Sequence, residues 1–432
     1  MNYREAIEYI HGTKKFGSKL GLDNIRELLG LLGNPHNDLK FIHVAGTNGK
    51  GSTSSFIANI LVEGGYKVGL FTSPYLEVFN ERMRINNQDI DDDSLAKITL
   101  KVKEKVDVML AKGMTHPTEF EIVTAIAMQY YKEENVDFVV LEVGLGGRFD
   151  STNVIESSLA SVITTISMDH TDILGDTIGK IAYEKAGIIK DNGFIISYPQ
   201  DKEAQEVIIK VAEEKNAKLA FVPIVNLEII EATEFGSKFS FEYKNIKMPD
   251  LEIQLIGTHQ LQNAATALTT ILALREEGYM SITDEAIRKG LKGTKWSGRL
   301  EVLRRNPTFL IDGAHNIQGI QALKKTLKDI FSYDRLILGV AILADKDVDH
   351  MIEELVPIAD KVVVTEANIF RAMKADDLAA KIKKYNGNII IESNIEKAVQ
   401  IAFEQATEKD LIVFSGSLYL IGDVRTIVNK MQ

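Results

Sequence analysis

Short apolar runs alternate along the chain with longer segments in which apolar residues recur at helical spacing. The first clear unit is the run Phe41 to Ala45, followed by a glycine-rich loop and then by the segment Ser52 to Glu63. Within that segment, the residues that share one helical face are Phe56, Ile57, Ile60 and Leu61. A second apolar run, Val68 to Phe71, follows and closes a βαβ unit. This rhythm predicts an α/β fold with a mainly parallel sheet.

The same rhythm predicts further elements in the first two thirds of the chain. Strands are expected at 138–141, 161–166 and 194–197, and helices at 118–132, 179–188 and 259–277. Between residues 226 and 256 the pattern changes, because apolar and polar residues alternate at 239–243 and at 251–255. Such alternation is typical of antiparallel strands with one solvated face, so a small antiparallel portion is expected there.

A stretch rich in glycine and serine, Gly293 to Gly298, is the expected domain boundary. After it the α/β rhythm starts again, with predicted strands at 308–311, 336–340, 361–364, 388–391 and 411–414. We therefore predict a first domain over residues 1–296 and a second α/β domain over residues 297–432, which suits the length of the chain.

Composition narrows the possible functions. The chain has 50 Lys and Arg against 61 Asp and Glu, a net charge of −11, which argues against a general nucleic-acid binder but not against binding of a small anion. The absence of cysteine excludes thiolate nucleophiles, iron–sulfur clusters and thiolate zinc sites. The first residues do not form a signal peptide, and no apolar stretch approaches the roughly 20 residues that a membrane span needs. A cytoplasmic protein is therefore expected.

The loop after the first strand has the chemistry of a phosphate site. Its residues are Gly46, Thr47, Asn48, Gly49, Lys50, Gly51 and Ser52. Glycines let backbone N–H groups approach phosphate oxygens, the helix N-terminus adds a positive dipole, and Lys50 adds a charge. Ser52 can hold the magnesium ion that accompanies a triphosphate. The loop departs from the standard G-x-x-x-x-G-K-[ST] pattern at Val44 and Gly51, so a glycine-rich turn that merely starts a helix is the alternative.

Other polar residues follow predicted strands, where ligands gather in parallel α/β sheets. They are Ser73, Glu142, Asp169, His170, Asp312 and His315. Magnesium takes one or two oxygen ligands from protein and the rest from phosphate and water, so Ser52, Ser73 and Glu142 suit it, and His170 is less typical. Singly, each residue is better explained as a loop cap, but together with the phosphate loop they indicate a site.

Several cations could face a phosphate group, namely Arg82, Arg148, Lys185 and Arg299. Lys185 is unusual, because it lies in the apolar segment Tyr183 to Ile189, where burial favours the neutral amine. Lys190 and Lys346 are expected to be ordinary surface lysines.

In order and spacing, these residues resemble the folylpolyglutamate synthases, including the bifunctional dihydrofolate synthases, of the Mur ligase superfamily. The resemblance runs from about Phe16 to the C-terminus. Its blocks are Gly46 to Ser52, Thr72 to Leu76, Phe79 to Arg82, Thr118 to Glu121, Glu142 to Asn153, Asp169 and His170, Glu184 to Gly187, His259 to Ala264, and Asp312 to Asn316. The phosphate loop and the last block alone would indicate only a Mur-type ligase.

The resemblance implies an ATP-dependent ligase that adds L-glutamate to the γ-carboxylate of a reduced folate through an acyl phosphate. Dihydropteroate is an additional substrate in the bifunctional members. The resemblance further implies a P-loop-type ATP-binding first domain, a Rossmann-like second domain, magnesium as the metal, no nucleic-acid or membrane partner, and a monomer.

The resemblance also implies roles for single residues. The metal positions match Ser52, Ser73, Glu142 and His170. Nucleotide contacts beyond the phosphate loop and its Lys50 match Asn263, Arg299, Asp312 and His315. Lys185 matches a lysine that is often carbamylated in this superfamily. Positions for the incoming glutamate match Arg82, Asp150, His315 and Ser417. The catalytic group would then comprise Lys50, Lys185, His170, Asp312 and His315.

Two residues depart from the family pattern. Tyr75 stands where histidine is common, and Ser297 replaces a proline before Gly298 and Arg299. The first bears on the folate pocket and the second on the stiffness of the linker. The sequence leaves two alternatives open: a Mur-type ligase that acts on a cell-wall precursor, and a non-catalytic nucleotide-dependent switch.

Overall fold

The computed structural model describes residues 1–17 and 21–431, and the chain forms two compact units. Unit 1 comprises residues 1–228, 240–251 and 262–294, whereas unit 2 comprises residues 229–239, 252–261 and the chain from Lys295 onward. The units are therefore built from interleaved segments. The predicted boundary near residue 296 stays a prediction.

Eight strands form the sheet of unit 1: β1 (Phe41–Ala45), β2 (Val68–Phe71), β3 (Met83–Ile85), β4 (Gln88–Asp89), β5 (Phe138–Glu142), β6 (Ala160–Ile163), β7 (Phe194–Ser197) and β8 (Lys218–Phe221). Their order is β4-β3-β2-β5-β1-β6-β7-β8. From β2 to β8 in this order the strands are parallel, and β3 and β4 form an antiparallel edge. Because β1 pairs with both β5 and β6, the carboxyl ends of these three strands meet at one edge.

In the described residues before 294 there are ten α-helices: α1 (Tyr3–Gly12), α2 (Asp23–Leu31), α3 (Lys50–Glu63), α4 (Asp92–Ala111), α5 (Glu119–Glu133), α6 (Thr171–Leu174), α7 (Ile178–Ala186), α8 (Lys202–Glu214), α9 (Thr258–Glu276) and α10 (Asp284–Gly293). Several begin at a side chain that accepts a backbone N–H of the first turn, as expected for helix caps. These caps are Asn2, Asp91, Thr118, Thr177 and Thr283. Every residue of β1 and β5 is buried, as in parallel sheets that are covered on both faces.

A separate three-stranded sheet contains β9 (Leu227–Thr233), β10 (Gly236–Tyr243) and β11 (Ile246–Ile253), in the order β11-β10-β9. Burial alternates along β10, where Phe239, Phe241 and Tyr243 are buried. The antiparallel portion that was expected between residues 226 and 256 lies here.

Unit 2 has a six-stranded sheet made of β12 (Glu301–Arg304), β13 (Thr308–Ile311), β14 (Leu336–Val340), β15 (Lys361–Val364), β16 (Ile389–Ile391) and β17 (Leu411–Ser415). The strand order is β12-β13-β17-β14-β15-β16. All neighbours are parallel except β12 and β13. The remaining helices are α11 (Ile317–Ile330), α12 (Val348–Leu355), α13 (Ala375–Ile382), α14 (Ile395–Gln405) and α15 (Leu418–Lys430).

The predicted fold class is confirmed: a mainly parallel sheet comes first, a small antiparallel sheet follows, and an α/β unit ends the chain. The main error concerns the strand predicted at 161–166, because β6 ends at Ile163. The next residues leave the sheet, and Thr165 forms an isolated bridge with Asn48 of the phosphate loop.

Candidate active site

The phosphate loop joins β1 to α3 and contains two glycines with positive φ, Gly46 (154°) and Gly49 (81°). A Cβ atom at Gly46 would lie 1.8 Å from Oγ1 of Thr164, and a Cβ atom at Gly49 would lie 2.3 Å from Oδ1 of Asn263. No side chain fits at either position. The loop therefore presents its backbone, as close contact with a phosphate group requires.

Hydrogen bonds hold the carbonyl oxygens of this loop. The hydroxyl of Thr164 donates to the carbonyl of Asn48 at 2.7 Å, and Nζ of Lys50 donates to the carbonyls of Gly46 and Thr47, both at 3.2 Å. Within the described residues, no side chain caps the start of α3. The first N–H groups of a helix lack intrahelical acceptors, so these are the groups that an anion would meet.

Oxygen donors suited to magnesium lie at the same edge of the sheet. Glu142 ends β5 and is buried, and its Oε2 accepts the N–H of Ser73 at 3.0 Å. Ser52 is buried in the first turn of α3. Two hydroxyl side chains and one carboxylate match the donors that magnesium prefers.

His170 lies beside this group in sequence but is more exposed. It precedes α6 with a φ of 51°, and its Nε2 is 3.9 Å from Oδ1 of Asp169. In the part of the chain that the structure describes, no three His, Asp or Glu side chains gather into a metal-binding group. A cation here would therefore depend on hydroxyl, phosphate and water ligands as well as on Glu142.

Lys185 connects α7 to the phosphate loop. The side chain is buried, and its Nζ donates to the carbonyl of Gly46 at 2.9 Å. Burial, reinforced by the nearby charge of Lys50, lowers the pKa of Lys185 to about 7, although Asp169 and Asp150 act in the opposite direction. The prediction that this lysine is desolvated is confirmed.

Asp150 lies in the glycine-rich loop that follows β5. Its Oδ2 accepts the N–H of Leu145 at 2.8 Å, and its Oδ1 accepts the N–H of Thr152 at 3.0 Å. Burial raises the pKa of Asp150, whereas the hydroxyl and N–H groups that it accepts lower it. In the same loop, Arg148 pairs with Glu184 at 2.7 Å, so its charge is engaged within unit 1.

Arg82 lies among aromatic rings after β2. Its guanidinium is 5.3 Å from the ring of Tyr75 and 5.6 Å from the ring of Phe79, within the range of cation–π contacts. The tyrosine that departs from the family pattern therefore contacts a predicted substrate residue.

Unit 2 has its own polar cluster at the carboxyl end of β13. Asp312 is buried and accepts the N–H groups of Leu300 and Ala314, both at 2.9 Å. Burial raises the pKa of Asp312, and the charge of Arg299 opposes that rise. His315 approaches the carbonyl of Gly313 at 2.8 Å through Nδ1. Ser417 is buried, and its hydroxyl accepts the N–H of Tyr419 at the start of α15.

The predicted residues thus fall into one group in each unit. In unit 1 the phosphate loop lies with Ser73, Glu142, Lys185 and Asn263, and in unit 2 Asp312 lies with Arg299 and His315. The roles of all these residues, as of Arg82, Asp150, His170 and Ser417, stay predictions.

Two polar side chains, one buried and one partly buried, lie in surroundings that the sequence does not predict. The expectation that Lys190 is an ordinary surface lysine is wrong, because it is partly buried, its Nζ donates to Oδ1 of Asn153 at 2.8 Å, and burial lowers its pKa to about 8. His43 is buried in β1, with Nε2 only 2.9 Å from Oγ1 of Thr152. The only signal for His43 in the sequence is a polar residue inside an apolar strand.

Comparison with known proteins identifies two domain families. Residues 44–271 match the Mur ligase middle domain, and residues 298–418 match the Mur ligase glutamate ligase domain. Among the described residues, no helix has both the length and the apolar character that a membrane crossing requires.

Full-length relatives agree with these matches. A dihydrofolate synthase/folylpolyglutamate synthase of Bacillus subtilis is 40% identical over 429 residues, which cover 98% of each chain. A folylpolyglutamate synthase structure from Thermotoga maritima has a TM-score of 0.87 at 33% identity, covering 100% of this chain and 97% of that one. A Mycobacterium tuberculosis folylpolyglutamate synthase, solved with ADP and AMPPCP, has a TM-score of 0.90 at 29% identity, covering 99% of each chain.

Proposed function

The chain belongs to the folylpolyglutamate synthase and dihydrofolate synthase family of Mur ligases, and from this membership we propose that it joins L-glutamate to the γ-carboxylate of a reduced folate with cleavage of ATP. The observation that carries the proposal is the geometry of the phosphate loop. Its backbone is not covered by side chains at Gly46 and Gly49, and the buried Glu142, Ser52 and Lys185 lie beside it. The full-length matches are to folate enzymes, which favours a folate over a cell-wall precursor.

ATP binds, in this proposal, with its phosphates at residues 46–52. The relative from Mycobacterium tuberculosis was solved with ADP and AMPPCP, which supports an adenine nucleotide as a ligand of this chain. Lys50 supplies a positive charge that neutralises the charge developing on the transferred phosphoryl group. The family resemblance assigns further nucleotide contacts to Asn263 of unit 1 and, separately, to Arg299, Asp312 and His315 of unit 2, and these roles stay predictions.

Magnesium fits the donor set of unit 1, because Ser52, Ser73 and Glu142 offer hard oxygen ligands at one edge of the sheet. These residues, with His170, would hold the ion. When bound, magnesium supplies positive charge to the phosphate oxygens.

Lys185 is proposed to carry a carbamate. A pKa of about 7 leaves roughly half of the amine neutral at neutral pH, and the neutral amine is the form that reacts with carbon dioxide. The resulting anion would lie at the phosphate loop, near the residues proposed to hold the metal.

The reaction follows from these roles. A carboxylate oxygen of the folate attacks the γ-phosphorus of ATP, the bond to ADP breaks, and an acyl phosphate forms. The amine of glutamate then attacks the acyl carbon, phosphate leaves, and the new amide loses one proton. Arg82, Asp150, His315 and Ser417 are the residues that we propose for the incoming glutamate. Water would hydrolyse the acyl phosphate, so the chain must exclude it during the reaction.

The test is the release of ADP in the presence of magnesium and L-glutamate, with tetrahydrofolate and dihydropteroate supplied in separate reactions. Release with tetrahydrofolate supports the proposal, and release with dihydropteroate adds the second activity that the relative from Bacillus subtilis carries in its name. Equal ADP release without any folate would overturn it. A cytoplasmic location and a monomeric state stay predictions.

A further inference from the structure

A directed chain of hydrogen bonds runs through the core of unit 1. Nε2 of His43 is 2.9 Å from Oγ1 of Thr152, and that hydroxyl donates to Oδ1 of Asp150 at 2.5 Å. The hydroxyl has one proton, which it gives to the carboxylate, so it must accept the Nε2–H of His43. Burial and the charge of Lys190 lower the pKa of His43 well below its ordinary value, which keeps the ring neutral.

The carboxylate at the end of this chain shapes the glycine-rich loop 144–149. Asp150 accepts the N–H of Leu145 and the N–H of Thr152 in addition to the hydroxyl of Thr152, and the N–H of Gly144 also points to it. One buried carboxylate thus collects the donors from both ends of the loop.

The loop in turn lies directly against α7. The N–H of Arg148 donates to the carbonyl of Glu184 at 2.8 Å, and a Cβ atom at Gly147 would lie 2.7 Å from that carbonyl oxygen. The next residue of α7, Lys185, donates to the carbonyl of Gly46. Gly46 follows His43 by three positions in the chain. The contacts that begin at His43 in β1 therefore lead through the loop 144–149 and α7 back to the phosphate loop.

We propose that His43 and Thr152 are positioning residues. They hold Asp150, and with it the loop 144–149, in a fixed position relative to the phosphate loop. The inference rests on the proposed function, in which Asp150 contacts substrate. His43 and Thr152 are both completely buried, so they act through Asp150 rather than on a ligand.

Substitutions that keep the side-chain volume but change the hydrogen bonds distinguish this positioning role from a role in packing alone. Valine has nearly the shape of threonine but no hydroxyl, so Thr152→Val preserves the volume of the core and removes the hydroxyl that links His43 to Asp150. Thr152→Ser keeps the hydroxyl. At position 43, glutamine can place an amide N–H near the position of Nε2, whereas asparagine places it near the position of Nδ1. Nδ1 has no hydrogen-bond partner among the described residues.

The experiment measures kcat and KM for L-glutamate and for ATP, the melting temperature, and amide hydrogen exchange of the loop 144–149. Thr152→Val should lower kcat/KM for L-glutamate by about tenfold to a hundredfold, the loss expected when a hydrogen bond to a charged group is removed. His43→Asn should lower it by about twofold to tenfold, because its hydrogen bond is to a neutral hydroxyl. KM for ATP should change by less than about twofold. Amide hydrogen exchange across the loop 144–149 should accelerate. Thr152→Ser and His43→Gln should restore both properties.

Unchanged kcat/KM and unchanged exchange in Thr152→Val and His43→Asn would overturn the inference. Equal losses in all four variants would also overturn it, since they would indicate packing alone. If the unmodified protein does not turn over folate, the proposed function fails, and hydrogen exchange of the loop still decides whether His43 and Thr152 position it.

Discussion

Lys185 shows how a buried environment changes an ordinary side chain. Its segment is apolar, and that alone predicts desolvation, whereas its bond to the carbonyl of Gly46 joins residues 139 positions apart and has no local signal. The same limit applies to His43, whose partner Thr152 lies 109 positions away. Burial of one residue can be inferred from its neighbours in sequence, but the identity of a distant partner cannot.

We predict that the side chain of Lys185 is carbamylated. At pH 7 the neutral fraction of an amine with a pKa of about 7 is roughly half, against roughly one in three thousand for an ordinary lysine. We expect the intact protein, handled gently in bicarbonate, to gain the mass of one carbon dioxide, and Lys185→Met not to gain it. Equal gain by both proteins would place the modification elsewhere.

The stability of the protein should also depend on Lys185. Between the folded pKa of about 7 and the ordinary value of 10.5, the unfolded chain binds one proton more than the folded chain. The free energy of unfolding should therefore rise with pH in this window, by up to about 1.4 kcal/mol per pH unit, and level off outside it. Lys185→Met, compared in buffer free of carbon dioxide, should lose this rise. Parallel pH curves for the two proteins would contradict the argument.

Glu142 is the carboxylate that we propose as a magnesium ligand, so Glu142→Gln should keep the shape of the site and weaken binding of the metal. We expect activity to fall about a hundredfold at low magnesium and to recover partly in excess magnesium. Glu133→Gln is the matched control, because Glu133 pairs with Lys97 and Lys101 on the surface of unit 1. If both variants respond alike to magnesium, Glu142 is a structural acid.

Among the elements, the strand–loop–helix order around the phosphate site is predictable from sequence, because apolar periodicity and glycines mark β1 and the start of α3. The end of β6 is not predictable from the sequence in this way. Thr164 and Thr165 have strand-forming side chains, yet they leave the sheet and hold the phosphate loop instead. A tertiary contact decides the length of this strand, so propensity alone extends it too far.

Gly49 offers a test of the loop as an element. Gly49→Ala should abolish nucleotide binding, because the new Cβ would clash with Asn263 at 2.3 Å. Gly65 is the matched control, since it has a similar φ of 87° with nothing within 4 Å among the described residues. Both variants should lose about 1 kcal/mol of stability from backbone strain, but only Gly49→Ala should lose the thermal shift that ATP produces. Loss of that thermal shift in both variants would show that backbone strain, and not the clash with Asn263, abolishes nucleotide binding.

On the scale of the whole molecule, the sequence predicts two α/β portions, and the structure contains two compact units. The exchange of short segments between the units, residues 229–239 and 252–261, has no local signal, because a linear boundary cannot describe it. The net charge of −11 opposes three anionic substrates, so the positive field must be local. In the proposed function, Lys50 and the first turn of α3 supply that field.

One amide bond should form for each ATP that is cleaved, and the mass of the folate product, measured together with ADP and phosphate, shows whether it does. The chain is incubated with ATP, magnesium, L-glutamate and tetrahydrofolate, and ADP, phosphate and the folate product are measured together. We predict a folate heavier by one glutamate residue for each ADP and phosphate, no product when any substrate is left out, and none with Lys50→Ala. ADP formed without a heavier folate, or a heavier folate formed without ATP, would contradict the assignment.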